Sequence, residues 1–315
     1  MRTVVFAVAC GAVGCASDAP SADGQPPPPD DTFAAEGLYV DIATKELAPD
    51  AIALAPRYPL WSDGAVKQRW LRLPVDGTID TSNMDHWRLP AGTKLYKEFV
   101  VGGKRVETRV VEITADEPRF AVYAWLPDES DALAVPDGAS DVNGTAHDIP
   151  GVDQCSLCHR SEPGTTLGVS AIQLAADTPL AQLPIAARLS DAPDRTFAIP
   201  GDATARAALG VLHANCGHCH TDDGIAPMQH LRVLASDADR ALADIAPYAT
   251  TVGVALTSWR DDRFALRIAP GDPDASAIYY RMSQRGSTAQ MPPLATEIAY
   301  TDGMAAVRAW IAALP

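Results

Sequence analysis

The run "VLHANCGHCHTDDG", residues 211–224, sets two thiols and three imidazoles within eight positions, and it contains the spacing Cys216-Gly217-His218-Cys219-His220. The same Cys-x-x-Cys-His spacing occurs earlier as Cys155-Ser156-Leu157-Cys158-His159. On a helical turn, positions i and i+3 share a face and i+4 lies beside them. Two thiols so placed can add to vinyl groups on one edge of a porphyrin while the next imidazole reaches the iron, and this pentapeptide is a c-type haem attachment signal. Cys155, Cys158, Cys216 and Cys219 are therefore expected to carry two covalently bound haem c groups. His159 and His220 are the expected proximal iron ligands.

Two other chemistries use paired cysteines. Zinc can be held by two Cys-x-x-Cys knuckles, but ribbon spacings run at roughly 15–20 residues between knuckles. Cys158 and Cys216 stand much further apart than that, and zinc leaves the histidine after each pair unexplained. A thioredoxin-like dithiol expects one motif beside a βαβ unit. The chain has six cysteines, and all but Cys10 and Cys15 belong to the two motifs, so none is spare for a structural disulfide.

An iron that only transfers electrons wants a second axial ligand. Downstream of the second motif lie a helical stretch, a Met-Pro loop "QMPPL" and a closing amphipathic helix "TDGMAAVRAWIAAL". That order resembles class I cytochromes c, and the resemblance implies Met291 as the distal ligand of the second haem. Thioether ligation raises the reduction potential and closes the site. Met282 is the runner-up, but it falls in a helix expected to begin near Asp274, where core packing is the simpler role. Val307, Trp310 and Ile311 are expected to face inward from the closing helix. The first haem is less well supplied: residues 150–204 are too few for a complete cytochrome fold, and 177–201 contain neither Met nor His. His147, Met228 and His230 are candidates, each with an ordinary loop or surface role as its alternative. His213 has packing as its simpler role, and His218 is expected to face solvent.

The elements that must position these residues follow from pattern. Residues 1–15, "MRTVVFAVACGAVGC", read as an export signal. "AVGC" resembles a bacterial lipobox, making Cys15 the candidate lipidation site and Cys10 a weaker one; the alternative is an ordinary cleaved signal. Each buried acyl CH₂ would contribute about 0.8 kcal/mol to membrane attachment, and no segment approaches the ~20 apolar residues of a spanning helix. Residues 16–32 are small, acidic and proline-rich, a solvated tether. Residues 33–149 form an expected β-rich domain in which "VKQRWLRL", "TKLYKEFVV", "KRVETRVVEI" and "RFAVYAWL" read as strands, with Gly102-Gly103 as a hairpin turn. Their spacing suggests an antiparallel β-sandwich-like domain. An acidic, aperiodic stretch marks a boundary near 127–150. Residues 150–315 are then expected to be a mostly α-helical, dihaem cytochrome c-like region, with 205–315 as its class I-like core. The fold class is thus α+β multidomain.

Longer segments extend the likeness. "GLYVDIATKEL", "YPLWSDGAVKQRWLRLP", "LPAGTKLYKEF", "VETRVV", "YAWLPDESDA", "DQCSLCHRSEPGTTLGVSAIQL", "NCGHCHTDDG", "PGDPDASAIYYRM" and "MPPL" occur in this order. Together they resemble a family of exported bacterial dihaem c-type cytochromes with an N-terminal β domain, over nearly all of the chain after the tether. The resemblance implies two haems attached through Cys155, Cys158, Cys216 and Cys219, with His159 and His220 proximal. "PLWSDGAVK" departs from the family's usual "LFSDYA" form at Trp61 and Gly64. Asp63 with Lys67 could be catalytic, but a capped turn before a strand is the cheaper explanation.

Three functions fit these residues. The first is an electron carrier between a donor enzyme and an acceptor at the cell envelope. A dihaem peroxidase is the second, with one open iron; the short spacing of the motifs argues against it, and the missing ligand of the first haem argues for it. In the third the β domain is the working part, though residues 33–126 assemble no nucleophile with its base, so docking or structure is the favoured role. A net charge of −15, from 40 acidic and 25 basic side chains, disfavours nucleic acid and suits a basic redox protein partner, with membrane contact only through a lipid anchor.

Overall fold

The computed structural model describes residues 31–159, 166–294 and 296–315. Cys10, Cys15, the export segment and most of the tether lie outside the described residues. A 3-10 turn, Phe33–Glu36, leads into a two-stranded ribbon of β1 (Tyr39–Asp41) and β2 (Glu46–Leu47). Six strands follow: β3 (Ile52–Ala53), β4 (Val66–Arg72), β5 (Lys94–Val101), β6 (Lys104–Glu112), β7 (Arg119–Trp125) and β8 (Ala132–Ala134). They pair antiparallel in the order in which they occur in the chain. The expected sandwich is therefore corrected to a single meander. Close connections such as the β5–β6 turn pair consecutive strands, and among the described residues no long crossover carries a strand to a second large sheet. That turn has φ of 57° at Gly102 and 82° at Gly103, the left-handed pair that a two-residue hairpin of type I′ requires.

Alternation sorts the meander into two faces. One face carries Trp70, Tyr96, Val110, Tyr123 and Trp125, packed against Phe33, Leu38 and Tyr39. The Phe33 ring lies 5.4 Å from Tyr123 and 5.7 Å from Trp125. Glu36 locks this cover in place: its carboxylate accepts from Tyr123 Oη at 2.6 Å, Lys94 Nζ at 2.7 Å and Arg119 Nη2 at 2.8 Å. Burial works to raise the Glu36 pKa, but those hydrogen bonds outweigh it and hold the carboxyl below its ordinary range. The opposite face, which includes Arg69, Leu95, Lys97, Arg109, Val111 and Phe120, looks toward the remainder of the chain.

The later half contains α1 (Cys155–His159), α2 (Ala171–Leu174), α3 (Ala203–Cys216), α4 (Ala246–Ala249), α5 (Ala277–Ser283) and α6 (Thr301–Ala313). Only α3 and α6, with 14 and 13 residues, exceed two turns among the described residues. Much of this half is irregular rather than mostly helical. Proline and glycine interrupt it, as at Pro270, Gly271 and Pro273 before α5 and at Pro292 and Pro293 beyond it. The Asp202 carboxylate caps α3 by accepting from Ala205 N at 2.8 Å. Val307, Trp310 and Ile311 of α6 are buried with Leu209 and Leu212 of α3, and Met282 is buried in the same cluster. Each such aliphatic side chain contributes roughly 1.5–3 kcal/mol. The cluster also contains Leu54, Leu71, Ile79 and Trp87, so residues on both sides of position 149 share one core.

Candidate functional site

Both Cys-x-x-Cys-His segments adopt the turn that their spacing suggests. A 3-10 turn, Val152–Gln154, runs straight into α1, which places Cys155, Cys158 and His159 on one short helix. The His159 ring lies 5.3 Å from that of Phe120 on β7, so the sheet backs this motif. The second motif continues from the last residue of α3. Cys219 N and His220 N both donate to Cys216 O, at 3.1 and 2.9 Å. Within it Gly217 permits a close backbone approach: a Cβ there would stand 2.6 Å from His213 O and 2.9 Å from Arg232 Cα.

Cys216, Cys219, His220 and Met291 line one cavity of about 740 Å³, together with Trp61, Asp63 and Asn215. That is within the roughly 300–1,000 Å³ usual for small-molecule sites. The His220 Nδ1–H donates to Ala226 O at 3.1 Å, which leaves the Nε2 lone pair for a ligand bond. Burial lowers the His220 pKa, against that hydrogen bond, and favours the neutral ring. Met291 N donates to Arg281 O at 3.1 Å.

A second cavity, of about 190 Å³, lies between the sheet and the first motif. It is lined by Cys155, Cys158, His159, Arg69, Lys97 and Arg109, and by His213 and His218 from the far side. Cys158, His218, Arg109 and Leu60 line both cavities. Cys219 hydrogen-bonds the Cys158 sulfur and holds that thiol well below its ordinary pKa; this outweighs burial, and His218 adds a hydrogen bond and its charge. The same contact pushes the Cys219 thiol up. Burial alone pushes Cys216 up to about 12. Burial also raises Cys155, against the nearby Arg109 guanidinium.

The remaining histidines separate by geometry. His218, expected at the surface, is buried at 7% exposure, because Cys158 of the other motif packs against it. His213 accepts at Nδ1 from Val233 N at 3.0 Å, and burial lowers its pKa to about 3. Its proton therefore sits on Nε2, which disfavours iron ligation. Neither His147, Met228 nor His230 lines the cavity of the first motif. His147 is bonded to Glu107 Oε2 at 2.7 Å, His230 pairs with Asp222 at 3.0 Å, and Met228 is 59% exposed.

The segment "PLWSDGAVK" has a function in the fold that pattern reading missed. Asp63 does not cap its own strand; its two oxygens accept from Glu297 N at 3.0 Å and Ile298 N at 2.9 Å. Trp61 Nε1 donates to Ile298 O at 2.8 Å, and its ring stacks on Tyr300 at 4.5 Å. Trp61 N donates to Asn215 Oδ1 at 2.7 Å, beside Cys216. This strap ties the second motif to the loop that carries Met291. Lys67 points elsewhere, donating to Leu60 O at 2.6 Å.

No protein-family model, curated protein or solved structure matches the chain.

Proposed function

We propose that the chain is an exported dihaem c-type cytochrome that accepts electrons singly from a donor protein and delivers them to an acceptor at the cell envelope. One observation supports this reading above the others: Cys216, Cys219, His220 and Met291 line one cavity of about 740 Å³, which also borders Cys158 of the other motif. When bound, haem at each motif supplies a one-electron Fe(III)/Fe(II) couple. Cys155 and Cys158 would hold one group by thioether bonds and Cys216 and Cys219 the other, with His159 and His220 presenting imidazole nitrogen. At the second motif the donor set and the cavity both fit: His220 is in its ligating tautomer and Met291 shares the space. At the first motif Cys155, Cys158 and His159 share one short helix, but the cavity beside them, about 190 Å³, is less than a porphyrin needs. Export and acylation at Cys15 would place the protein at the membrane surface.

His218 lines the first cavity, and the carrier reading assigns it as the second ligand there. The absence of His147, Met228 and His230 from that cavity keeps a peroxidase as the second reading, in which the first iron stays open to peroxide. Zinc fits less well. It wants four converging donors, and it leaves the imidazole that follows each thiol pair without a role. A pyridine haemochrome count with an EPR spectrum tests the proposal: two low-spin haems agree with it. A high-spin component with turnover of hydrogen peroxide favours the peroxidase, and no haem refutes both.

A further inference from the structure

The larger cavity holds two polar side-chain atoms that the fold leaves unanswered. Arg285 Nε and Thr296 Oγ1 are buried, and neither has a hydrogen-bond partner among the described residues. Both residues line the cavity that Cys216, Cys219, His220 and Met291 share, and Thr296 is only 8% exposed. The other two such atoms, His86 Nδ1 and Trp87 Nε1, line neither cavity. Buried donors without an acceptor are costly and rare in folded chains. Two on the wall of one cavity mark a place for an acceptor from outside the chain.

The surrounding groups are already engaged. Arg285 Nη1 donates to Met282 O at 3.0 Å and Gln284 O at 2.6 Å, and Nη2 donates to Ile298 O at 3.3 Å. These bonds fix the guanidinium and leave its Nε–H over. Gln290 accepts from Gly286 N at 2.7 Å and donates to Thr296 O at 3.1 Å, which fixes the Thr296 backbone and leaves its hydroxyl over. Burial lowers the Arg285 pKa, against the charge of Asp63, but a guanidinium stays protonated. Asp63 acts on it only through its field, since the two Asp63 oxygens accept from Glu297 N and Ile298 N. Among the described residues no carboxylate forms an ion pair with Arg285.

We infer that Arg285 and Thr296 form a carboxylate-holding corner, which receives a propionate of the haem attached at Cys216 and Cys219. An ionised carboxylate only accepts, and its two oxygens can take both leftover donors, one of them charge-assisted. The place of the corner supports this. Thioether-forming vinyls and propionates occupy opposite edges of a porphyrin, so the carboxylates belong away from the thiols. Trp61 measures that separation: its N donates to Asn215 Oδ1, beside Cys216, and its Nε1 donates to Ile298 O, the carbonyl that Arg285 also engages. The corner thus stands across the length of an indole side chain from the thiol side. This inference rests on the dihaem reading; a diffusible oxyanion offers the same acceptor chemistry.

The test uses the loaded full chain with isotope-labelled propionate carboxyls, so that haem bands stand apart from those of Asp63 and other protein carboxylates in redox-induced infrared difference spectra. Thr296→Val removes the hydroxyl and keeps the shape, and Thr296→Ser keeps the hydroxyl. A propionate band should shift in Thr296→Val and hold its place in Thr296→Ser. Arg285→Gln should shift the same band and lower the potential of one haem, by about 59 mV for each tenfold loss of preference for the reduced state. Should Thr296→Val not accumulate, Thr296→Ala is measured in the same way. Bands identical in wild type, Thr296→Val and Arg285→Gln overturn the corner. A band moved by His147→Gln, elsewhere on the same lining, and not by Thr296→Val overturns it too. A saturable spectral shift with inorganic phosphate in the wild type, lost in Thr296→Val, assigns the donors to a diffusible oxyanion and overturns the propionate assignment. Unmodified Cys216 and Cys219 by mass spectrometry are the separate failure of the dihaem reading, and the inference falls with it.

Discussion

Asp63→Asn tests whether the strap controls the Met291 loop. Asp63 has φ of 49°, a left-handed conformation that Asn also tolerates, so the substitution leaves the backbone unstrained. It removes the charge and replaces one of the two acceptors, at 3.0 and 2.9 Å from Glu297 N and Ile298 N, by an amide that must donate. Hydrogen bonds to charged groups contribute about 1.5–3 kcal/mol when buried. These are solvent-accessible, so about 1 kcal/mol each is appropriate, or about 2 kcal/mol for the clamp. If Met291 ligates the second iron only when its loop is clamped, that loss shifts the ligated state relative to the open one by as much as 30-fold, at about 1.4 kcal/mol per tenfold. Exogenous imidazole competes for the open state, so its apparent Kd for the ferric protein should fall by up to the same factor. Optical titration of the second haem reads this directly. An unchanged Kd, with imidazole still able to displace the native ligand, would refute the clamp.

Other outcomes follow from the same geometry. Met291→Leu should turn one of two low-spin haems high-spin and lower its potential, and His218→Ala should turn the other haem high-spin; EPR reads both spin changes. Glu36→Gln should destabilise the sheet by about 1–3 kcal/mol in urea melts, because it removes the buried acceptor of Lys94, Tyr123 and Arg119, although Arg119 keeps Glu112. The Glu36 carboxyl is held below its ordinary value of 4.5. In the wild type its stabilisation is therefore complete above that pH and is lost as pH falls through the folded value, and the variant should lack this part of the acid transition. Reduction by a basic donor protein should slow as salt is raised, since complementary charge acts mainly on association rate; rates indifferent to ionic strength would remove the acidic surface from the account.

Local patterns made the strands β4 to β7, the helices α3 and α6 and the inward positions Val307, Trp310 and Ile311 legible, because period-2 and period-3.6 alternation are properties of contiguous residues. The single meander was less so, since alternation shows that a strand has two faces and not what covers each. Where the sequence reading fell short, the signal lay in tertiary neighbours. His218 looks like a solvent-facing turn residue until Cys158 of the other motif packs against it. Asp63 looks like a local cap, and its partners are at Glu297 and Ile298. The row of Arg69, Lys97 and Arg109 was partly readable, as charges at alternating strand positions that do not share the aromatic face of Trp70 and Tyr96. Their alignment across three strands needed the register.

The central claim is covalent attachment of a porphyrin at both motifs. Mass spectrometry of protease-digested chain, matured in a host competent for c-type cytochromes, measures it most directly. The account predicts one haem added to the peptide containing Cys155 and Cys158 and one to that containing Cys216 and Cys219. Unmodified thiols in both peptides would contradict it.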